Sequence, residues 1–524
     1  MGFLTFDFKF ISKLLWTTGL PLFSAWTESP RFRDQHSKCL SLVSHLKLEN
    51  TTIIDASYVA AGSKVSTLGT CQDTADVNVP LCRVQFFTNT TNTSVVHAEA
   101  WLPDEWYGRF LGLGNGGLGG CIDYAHLDYG TSLHFATVAS NNGHDGQGGA
   151  PFFGKPEVIN DFAFRAIHVE AVIGKQIVEA YYGLPHSKSY YLGCSTGGRQ
   201  GTQAALKFPE DFDGIVAGAP ATDFNHLVHW TNMLGRYIGT PEPESSPSFI
   251  PAELWEVVAK EVMRQCDDLD GVQDGIITDP DSCDFRAESL LCSDAVADSP
   301  CLTEPQVEAL RKIYSPLYDR NGEMLYPRFD PGAESMPADM FIGEVTERAG
   351  DWMKYVVLND TEFDFRDYGP KYAVLMDQIN PGGIATFDGN MSAFRDRGGK
   401  FLTYHGRIDS VIASGNSKRV YDLISRTLGM PSLDSFYRLF LVPGMSHCTF
   451  GPGASRFGQV RQESNAINAS SHNILLALVD WVEGGLAPDT IIGTTEDGKS
   501  TRVHCRYPHR SVWDAEKGAF RCEE

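Results

Sequence analysis

The stretch from Ser189 to Phe208, SYYLGCSTGGRQGTQAALKF, constrains this chain more than any other. The apolar run Tyr190-Tyr191-Leu192 has the length and aromatic content of a buried strand. It leads straight into Gly193-Cys194-Ser195-Thr196-Gly197, a G-x-S-x-G pattern, and a segment of good helix propensity starts at once. Strand, sharp turn and helix form the setting of a nucleophile elbow: the turn is too tight for side chains at its two glycines, and the serine hydroxyl stands exposed at its tip. A glycine-rich turn with an ordinary serine could carry the same five letters. The strand before and the helix after distinguish the two.

The rest of the chain supplies a sheet for such an elbow. Thr52–Ile54, Cys82–Phe87 and Ser94–Leu102 alternate or run apolar within a β-rich stretch from Arg31 to Cys121, and Ala136–Asn141 reads as a further strand. Asp161–Tyr182 carries an apolar stripe at Ala166, Val169, Ile173, Ile177 and Ala180, with Gly183 placed as a C-terminal cap, and so predicts a helix. Asp213–Ala219 reads as a buried parallel strand, and Lys400–Tyr404 and Tyr437–Val442 resume the pattern, followed by a helix over His472–Glu483. Strands and helices alternating at this spacing predict an α/β sheet. Between Thr222 and Phe394 the pattern changes to proline, acidic residues, Trp and Met, with helices at Ala252–Gln265 and Glu304–Tyr314. At 524 residues the chain exceeds one simple core, so 26–221 and 395–524 read as one domain and 222–394 as an inserted lid over the C-terminal edge of the sheet.

Gly112, Gly114 and Gly117 in RFLGLGNGGLGG satisfy G-x-G-x-x-G, which raises a nicotinamide dinucleotide as a ligand. The sequence that follows, Cys121-Ile122-Asp123-Tyr124, reads as no helix, and no second strand ends in an acid at the required spacing. An oxyanion loop makes better use of these glycines, because it lets backbone N–H groups of Gly116 or Gly117, with that of Thr196, point at a substrate carbonyl.

A serine elbow needs a base and an orienting acid, in chain order Ser, Asp, His. Asp409 stands in His405-Gly406-Arg407-Ile408-Asp409-Ser410, after the strand at 400–404. His447 stands in Pro443-Gly444-Met445-Ser446-His447-Cys448, after the strand at 437–442. Both lie past C-terminal strand ends, where α/β sheets assemble their sites. His447 would take the Ser195 proton and Asp409 would fix the imidazole tautomer. His405 is a rival base, but its place before the acid on one loop fits the role poorly. Cys194 precedes the serine and Cys448 follows the histidine, so contact between Ser195 and His447 would make these two sulfurs neighbours able to bond.

Export is the other expectation. Lys9 and Lys13 precede Leu14-Leu15-Trp16 and Leu20-Pro21-Leu22-Phe23, and Ser24-Ala25 close the run, as in a signal peptide over 1–25. Twelve cysteines and N-x-S/T sequons at Asn50, Asn89, Asn92, Asn359, Asn390 and Asn468 fit a secreted, disulfide-bonded glycoprotein. No later run has about 18 unbroken apolar residues, so no membrane span is expected. A formal charge of −23 argues against nucleic acid or an anionic membrane as partner.

Gly-Cys-Ser-Thr-Gly-Gly-Arg at 193–199, Asp409 in its Gly-Arg-x-Asp loop, His447-Cys448 and Gly-Asn-Gly-Gly at 114–117 together resemble the CS-D-HC signature of the fungal tannase and feruloyl esterase family. The resemblance runs over essentially the whole chain after residue 25. It implies an α/β-hydrolase fold with a large lid, Ser195, Asp409 and His447 as triad, and a Cys194–Cys448 bridge. It further implies bridges Cys39–Cys82, Cys71–Cys121, Cys266–Cys283, Cys292–Cys301 and Cys505–Cys522, a connectivity that cysteine positions alone leave open.

The lid carries CDDLDGVQDGII at 266–277. Closely spaced carboxylates suggest a hard cation with oxygen ligands, although the spacing departs from an EF-hand: from Asp268, Gln273 takes the glycine position and Asp279 that of the bidentate Glu. The resemblance implies Ca²⁺ held by the side chains of Asp267, Asp270 and Asp274 and the carbonyls of Val272 and Ile276. Its expected role is to stiffen the lid, since it is far in sequence from the triad. A solvated acidic turn is the plain alternative.

These readings predict a secreted serine carboxylesterase acting on feruloyl (hydroxycinnamoyl) esters, its substrate a small phenolic ester or a feruloylated oligosaccharide of plant cell walls. Gallate esters of tannins are the runner-up substrate, and a catalytically dead hydrolase-fold binding protein the alternative of another class. Oligomeric state is left open, a homodimer included.

Overall fold

The computed structural model describes residues 30–67, 71–293, 300–335, 341–459 and 469–524. The expected signal segment 1–25 and the sequon at Asn468 lie outside the described residues.

Nine strands form one sheet: β1 (Thr51–Val59), β2 (Leu81–Thr91), β3 (Ser94–Pro103), β4 (Arg109–Leu113), β5 (Phe135–Ser140), β6 (Lys188–Cys194), β7 (Gly214–Gly218), β8 (Lys400–Gly406) and β9 (Tyr437–Val442). Their spatial order is β1-β2-β3-β5-β4-β6-β7-β8-β9. The β1–β2, β2–β3 and β3–β5 pairs are antiparallel, and every later pair is parallel. β7 and all of β6 after Lys188 are buried, as central strands covered on both faces must be.

The helices used below are α1 (Pro30–His45), α2 (Tyr124–Ser132), α3 (Ala166–Tyr182), α4 (Thr196–Lys207), α5 (Phe224–Tyr237), α6 (Ala252–Cys266), α7 (Glu304–Ile313), α8 (Gly415–Leu428) and α9 (Ile474–Gly484). Ile167, Ile173 and Ile177 of α3 pack with Val420 and Ile424 of α8 in one apolar layer. Leu127 of α2 joins Leu475, Leu478 and Trp481 of α9 in another. The stripe expected over 161–182 begins with a π turn at Asp161–Arg165 and continues as α3, ending on Gly183 in the left-handed region at φ 78°.

Three expectations need correcting. The N-terminal region is not purely β-rich: α1 packs Cys39 and Leu42 against the sheet. The run RFLGL at 109–113 is a strand, with only the glycines after it forming a loop. A helix does follow that loop, since Asp123 caps α2 by accepting the His126 N–H. It starts seven residues beyond Gly117, too late to turn its N-terminus onto the loop as a dinucleotide fold does.

The segment between β7 and β8 holds α5, α6 and α7 and builds a third apolar cluster around Trp230, Trp255, Phe329 and Trp352, which also takes in Leu118, Phe152 and Phe162. All six cysteine pairs are bonded: Cys39–Cys82, Cys71–Cys121, Cys194–Cys448, Cys266–Cys283, Cys292–Cys301 and Cys505–Cys522.

Candidate active site

Ser195 occupies the turn between β6 and α4 with φ 64° and ψ −121°. A non-glycine residue at positive φ stores strain and persists only where its surroundings hold it. Here the Ser195 N–H donates to the Gly218 carbonyl at 3.0 Å and its carbonyl accepts from the Ala221 N–H at 3.1 Å, tying the turn to the end of β7. The glycines are steric necessities. A Cβ on Gly193 would lie 2.8 Å from the Gly197 backbone, and one on Gly197 would lie 3.1 Å from the Asn115 carbonyl.

Asp409 and His447 leave the adjacent strands β8 and β9. His447 Nδ1 is 2.7 Å from Asp409 Oδ2. A carboxylate only accepts, so the shared proton sits on Nδ1 and Nε2 is left as a base. Oδ1 of Asp409 accepts the N–H groups of Val411 at 2.8 Å and Ile412 at 2.9 Å. Burial alone would push this carboxyl up. The charge of His447 and the hydrogen bonds from His405 and His447 outweigh it and hold Asp409 well below the usual carboxylate range. Asp409 is sealed from solvent whereas the His447 side chain is 23% exposed, so a buried anion backs a ring that reaches the surface.

The Cys194–Cys448 bond holds the Cα atoms of the two residues flanking Ser195 and His447 at 5.9 Å. Among the described residues, however, no hydrogen bond is made by the Ser195 hydroxyl. The expected hydrogen bond is therefore made between His447 and Asp409, while among the described residues none joins Ser195 to His447 in the unliganded protein. Catalytic contacts of this kind are commonly long without substrate and tighten when it binds.

The loop after β4 packs backbone to backbone on the elbow. A Cβ on Gly114 would fall 2.6 Å from Gly197 Cα and 2.3 Å from the Tyr191 hydroxyl. Its position is pinned by a buried amide network that the sequence reading passed over. The Asn115 N–H donates to Gln200 Oε1 at 2.9 Å, Gln200 Nε2 donates to Asn115 Oδ1 at 3.0 Å, and Asn115 Nδ2 donates to the Ser140 carbonyl at 2.8 Å. Thr196 Oγ1 donates to the Gly117 carbonyl at 2.6 Å. Among the described residues the N–H groups of Gly116 and Gly117 have no acceptor. The N–H of Thr196 belongs to the first turn of α4, where no intrahelical partner exists. These donors lie beside Ser195 and can meet negative charge on a carbonyl oxygen.

A cleft opens over Ser195 and Thr196. Leu118, Phe224, Leu227, Val228 and Ile412 make its wall apolar, and Thr231, Thr346 and Arg348 supply polar atoms. Both the sheet domain and the insertion contribute. This is the composition of a small-molecule site, apolar with a few orienting polar contacts.

The acidic loop at 266–277 is close to the site despite its distance in sequence. Ile276 reaches Gly444, three residues before His447: a Cβ on Gly444 would stand 3.1 Å from Ile276 Cγ2. Asp267 Oδ1 caps the Gly275 and Ile276 N–H groups, and Asp270 accepts the Val272 N–H and the Thr278 hydroxyl. Asp274 is raised by burial and by the charges of Asp270 and Asp267, against the lowering influence of the Arg502 guanidinium. Among the described residues the carbonyls of Val272 and Ile276 accept no hydrogen bond, which suits a hard cation, while no three acidic side chains converge into a ready ligand set. Asn50, Asn89, Asn92, Asn359 and Asn390 are all exposed. No helix among the described residues is long and apolar enough to cross a membrane.

Comparison with known proteins agrees with this geometry. The family model described as "Tannase and feruloyl esterase" matches residues 82–523. A protein named probable feruloyl esterase B-2, from Aspergillus oryzae, is 41% identical over 508 residues, covering 94% of this chain and 96% of its own. The crystal structure of feruloyl esterase B from Aspergillus oryzae superposes with a TM-score of 0.90 at 38% identity, over 93% of this chain and 100% of that one. A tannin acyl hydrolase from Aspergillus niger shares the fold, with a TM-score of 0.75 at 21% identity over 93% of this chain and 94% of its own.

Proposed function

The chain belongs to the tannase and feruloyl esterase family, and on that premise we propose that it is a secreted serine carboxylesterase hydrolysing feruloyl esters. The observation that carries the reading is the strained Ser195 elbow disulfide-linked to the loop of His447, whose Nδ1 is held by Asp409. The likeness to a feruloyl esterase B at 38% identity favours hydroxycinnamate over gallate.

In this reading the phenolic ring lies between Phe224, Leu227 and Ile412, and the ester carbonyl points at the N–H groups of Thr196 and Gly116 or Gly117. His447 Nε2 takes the proton of Ser195 Oγ as the oxygen attacks the carbonyl carbon, and Asp409 stabilises the imidazolium that forms. The bond to the alcohol oxygen breaks, and His447 delivers its proton to that oxygen. Water then enters, gives a proton to His447 and attacks the acyl carbon. Ferulate leaves and Ser195 is restored. The insertion acts as the lid that shields these steps from bulk water. Ca²⁺ at Asp267, Asp270, Asp274 and the carbonyls of Val272 and Ile276 would fix the lid segment that touches the His447 loop. Export follows from the signal-like start, six disulfides and exposed sequons.

Hydrolysis of methyl ferulate beside methyl gallate tests the substrate class. Faster turnover of ferulate supports the reading. Gallate preference would make the protein a tannase, and activity on neither ester would overturn the substrate class while leaving the serine chemistry to a phosphonate label.

A further inference from the structure

Asp409 is served by two imidazoles, and the mechanism above uses only one. His405 is the penultimate residue of β8 and has no exposed surface. Its Nε2 is 3.2 Å from Asp409 Oδ2, the same oxygen that accepts from His447, and 3.0 Å from the Ile412 carbonyl. Both partners only accept, so Nε2 carries the hydrogen, which bonds to the Ile412 carbonyl with the Asp409 carboxylate close beside it. Nδ1 is 2.7 Å from Ser417 Oγ, at the start of α8. With the hydrogen already on Nε2, the neutral ring accepts from the Ser417 hydroxyl, and that bond fixes the tautomer.

The carboxylate thus has three hydrogen-bond donors, the N–H groups of Val411 and Ile412 on Oδ1 and His447 on Oδ2, with His405 Nε2 beside them at 3.2 Å from Oδ2. The other charged or titratable groups around it are Arg407 on the same loop and, from the insertion, Tyr326 and Asp330. Among the described residues none of these hydrogen-bonds to Asp409. His405 is therefore the one side chain besides the catalytic base that reaches this anion.

We propose that His405 is a positioning residue of the esterase site: its Nε2–H locks the Asp409 carboxylate in the rotamer that faces His447 and draws off part of the charge on the oxygen the two rings share. The proposal rests on the Ser195–His447–Asp409 reading. An Asp409 without this donor could turn about its Cα–Cβ and Cβ–Cγ bonds, leaving His447 misaligned for the Ser195 proton. Its undivided charge would also hold a proton on His447 more tightly, so the base would be lost at a higher pH than in the intact site.

The test compares His405→Phe, His405→Gln and Ser417→Ala in the full-length protein, through kcat, KM and the pH profile of kcat/KM. His405→Phe should lower kcat about 10- to 100-fold, as expected for loss of a hydrogen bond to a charged group, with KM nearly unchanged. It should also move the acid limb of kcat/KM to higher pH. His405→Gln, which retains an N–H donor, should restore much of both, and Ser417→Ala, which frees the tautomer, should shift the limb less and in the same direction. An acid limb unmoved in His405→Phe, or His405→Gln as impaired as His405→Phe, would reduce His405 to packing and overturn the proposal. If His405→Phe does not fold, an unmoved limb in Ser417→Ala overturns it equally. A wild-type protein that neither hydrolyses methyl ferulate nor is labelled by a serine-directed phosphonate would remove the esterase reading, and this inference with it. A wild type that is labelled but indifferent to His405→Phe and Ser417→Ala removes only the inference.

Discussion

Arg407 Nη2 donates to Asp281 Oδ2 at 2.8 Å, joining the loop of Asp409 to the segment that follows the acidic loop at 266–277. The guanidinium is almost wholly buried, with Ser414 Oγ at 2.7 Å and Asp279 Oδ1 at 3.3 Å as its other partners. Asp281 is 44% exposed and Lys418 also pairs with it. Although burial pushes its carboxyl up, the charges of Arg407 and Lys418 prevail and hold it well below its ordinary value. Arg407 stands two residues before Asp409, so a lid segment and a catalytic loop share one buried cation.

Arg407→Met keeps the aliphatic stem and removes that charge. Loss of a largely buried pair with one half-wet partner should cost about 2–3 kcal/mol of unfolding free energy. The lowered Asp281 carboxyl contributes stability above its unfolded value of 3.8 and loses it as pH falls. Urea titrations should therefore show the difference from wild type at pH 6 and its narrowing below about pH 4.

Cys194 and Cys448 are 254 residues apart in sequence, so their bond closes a long loop in the unfolded chain. The Cys194→Ala/Cys448→Ala double variant should lose about 3–5 kcal/mol of stability. It should also lose kcat, because nothing else in the described structure ties the Ser195 hydroxyl to His447. Denaturant melts and methyl ferulate kinetics measure the two effects separately, and unchanged kcat would show that the sheet alone sets their spacing.

Gly114 and Gly116 make an internal control within one loop. A Cβ on Gly114 meets Gly197 Cα at 2.6 Å, whereas one on Gly116 has no atom within 4 Å. Gly114→Ala should push the loop off the elbow and lower kcat about 100-fold or more, the scale of losing an oxyanion donor. Gly116→Ala should stay within a few-fold of wild type.

Glu170 of α3 is 1% exposed and accepts the Leu113 N–H at 3.0 Å behind the oxyanion strand. Burial pushes its pKa up to about 8 from 4.5. A raised carboxyl contributes stability in full below pH 4.5 and loses it as pH rises toward 8. Glu170→Gln should lack this decline, so its advantage over wild type in denaturant midpoint grows between pH 5 and 8.5.

Chelation reports on the acidic loop. With EDTA the melting temperature should fall by several degrees, and Ca²⁺ but not Mg²⁺ should restore it, given the oxygen donors and flexible geometry that Ca²⁺ tolerates. Asp274→Asn should blunt the response. An EDTA-indifferent melt would make 266–277 a solvated turn.

Read as letters, the chain already displayed its elbow, the strands carrying Asp409 and His447, and the place where the sheet pattern is interrupted. These are local signals: a strand's composition, a helix's period, a tight turn's glycines. α1 escaped because its buried stripe is short among polar residues, and α2 because a nine-residue helix owes its stability to packing on β5 rather than to its own propensity. The amide network of Asn115 and Gln200 and the cation shared by Arg407 and Asp281 have no local signature at all, and the sequence placed His405 on the loop of Asp409 without showing what it does there. These contacts join residues 4 to 126 positions apart.

The sequence by itself determined where the elbow serine, the histidine and the aspartate stand relative to their strands, because each of Ser195, His447 and Asp409 follows a strand whose composition is legible locally. Only the tertiary structure decided how they are held: the disulfide that links the serine turn to the histidine loop, the donors on Asp409, and the acidic loop lying against the histidine loop. Those depend on how strands β6, β8 and β9 sit side by side, and adjacency in a sheet is set by packing the whole core at once.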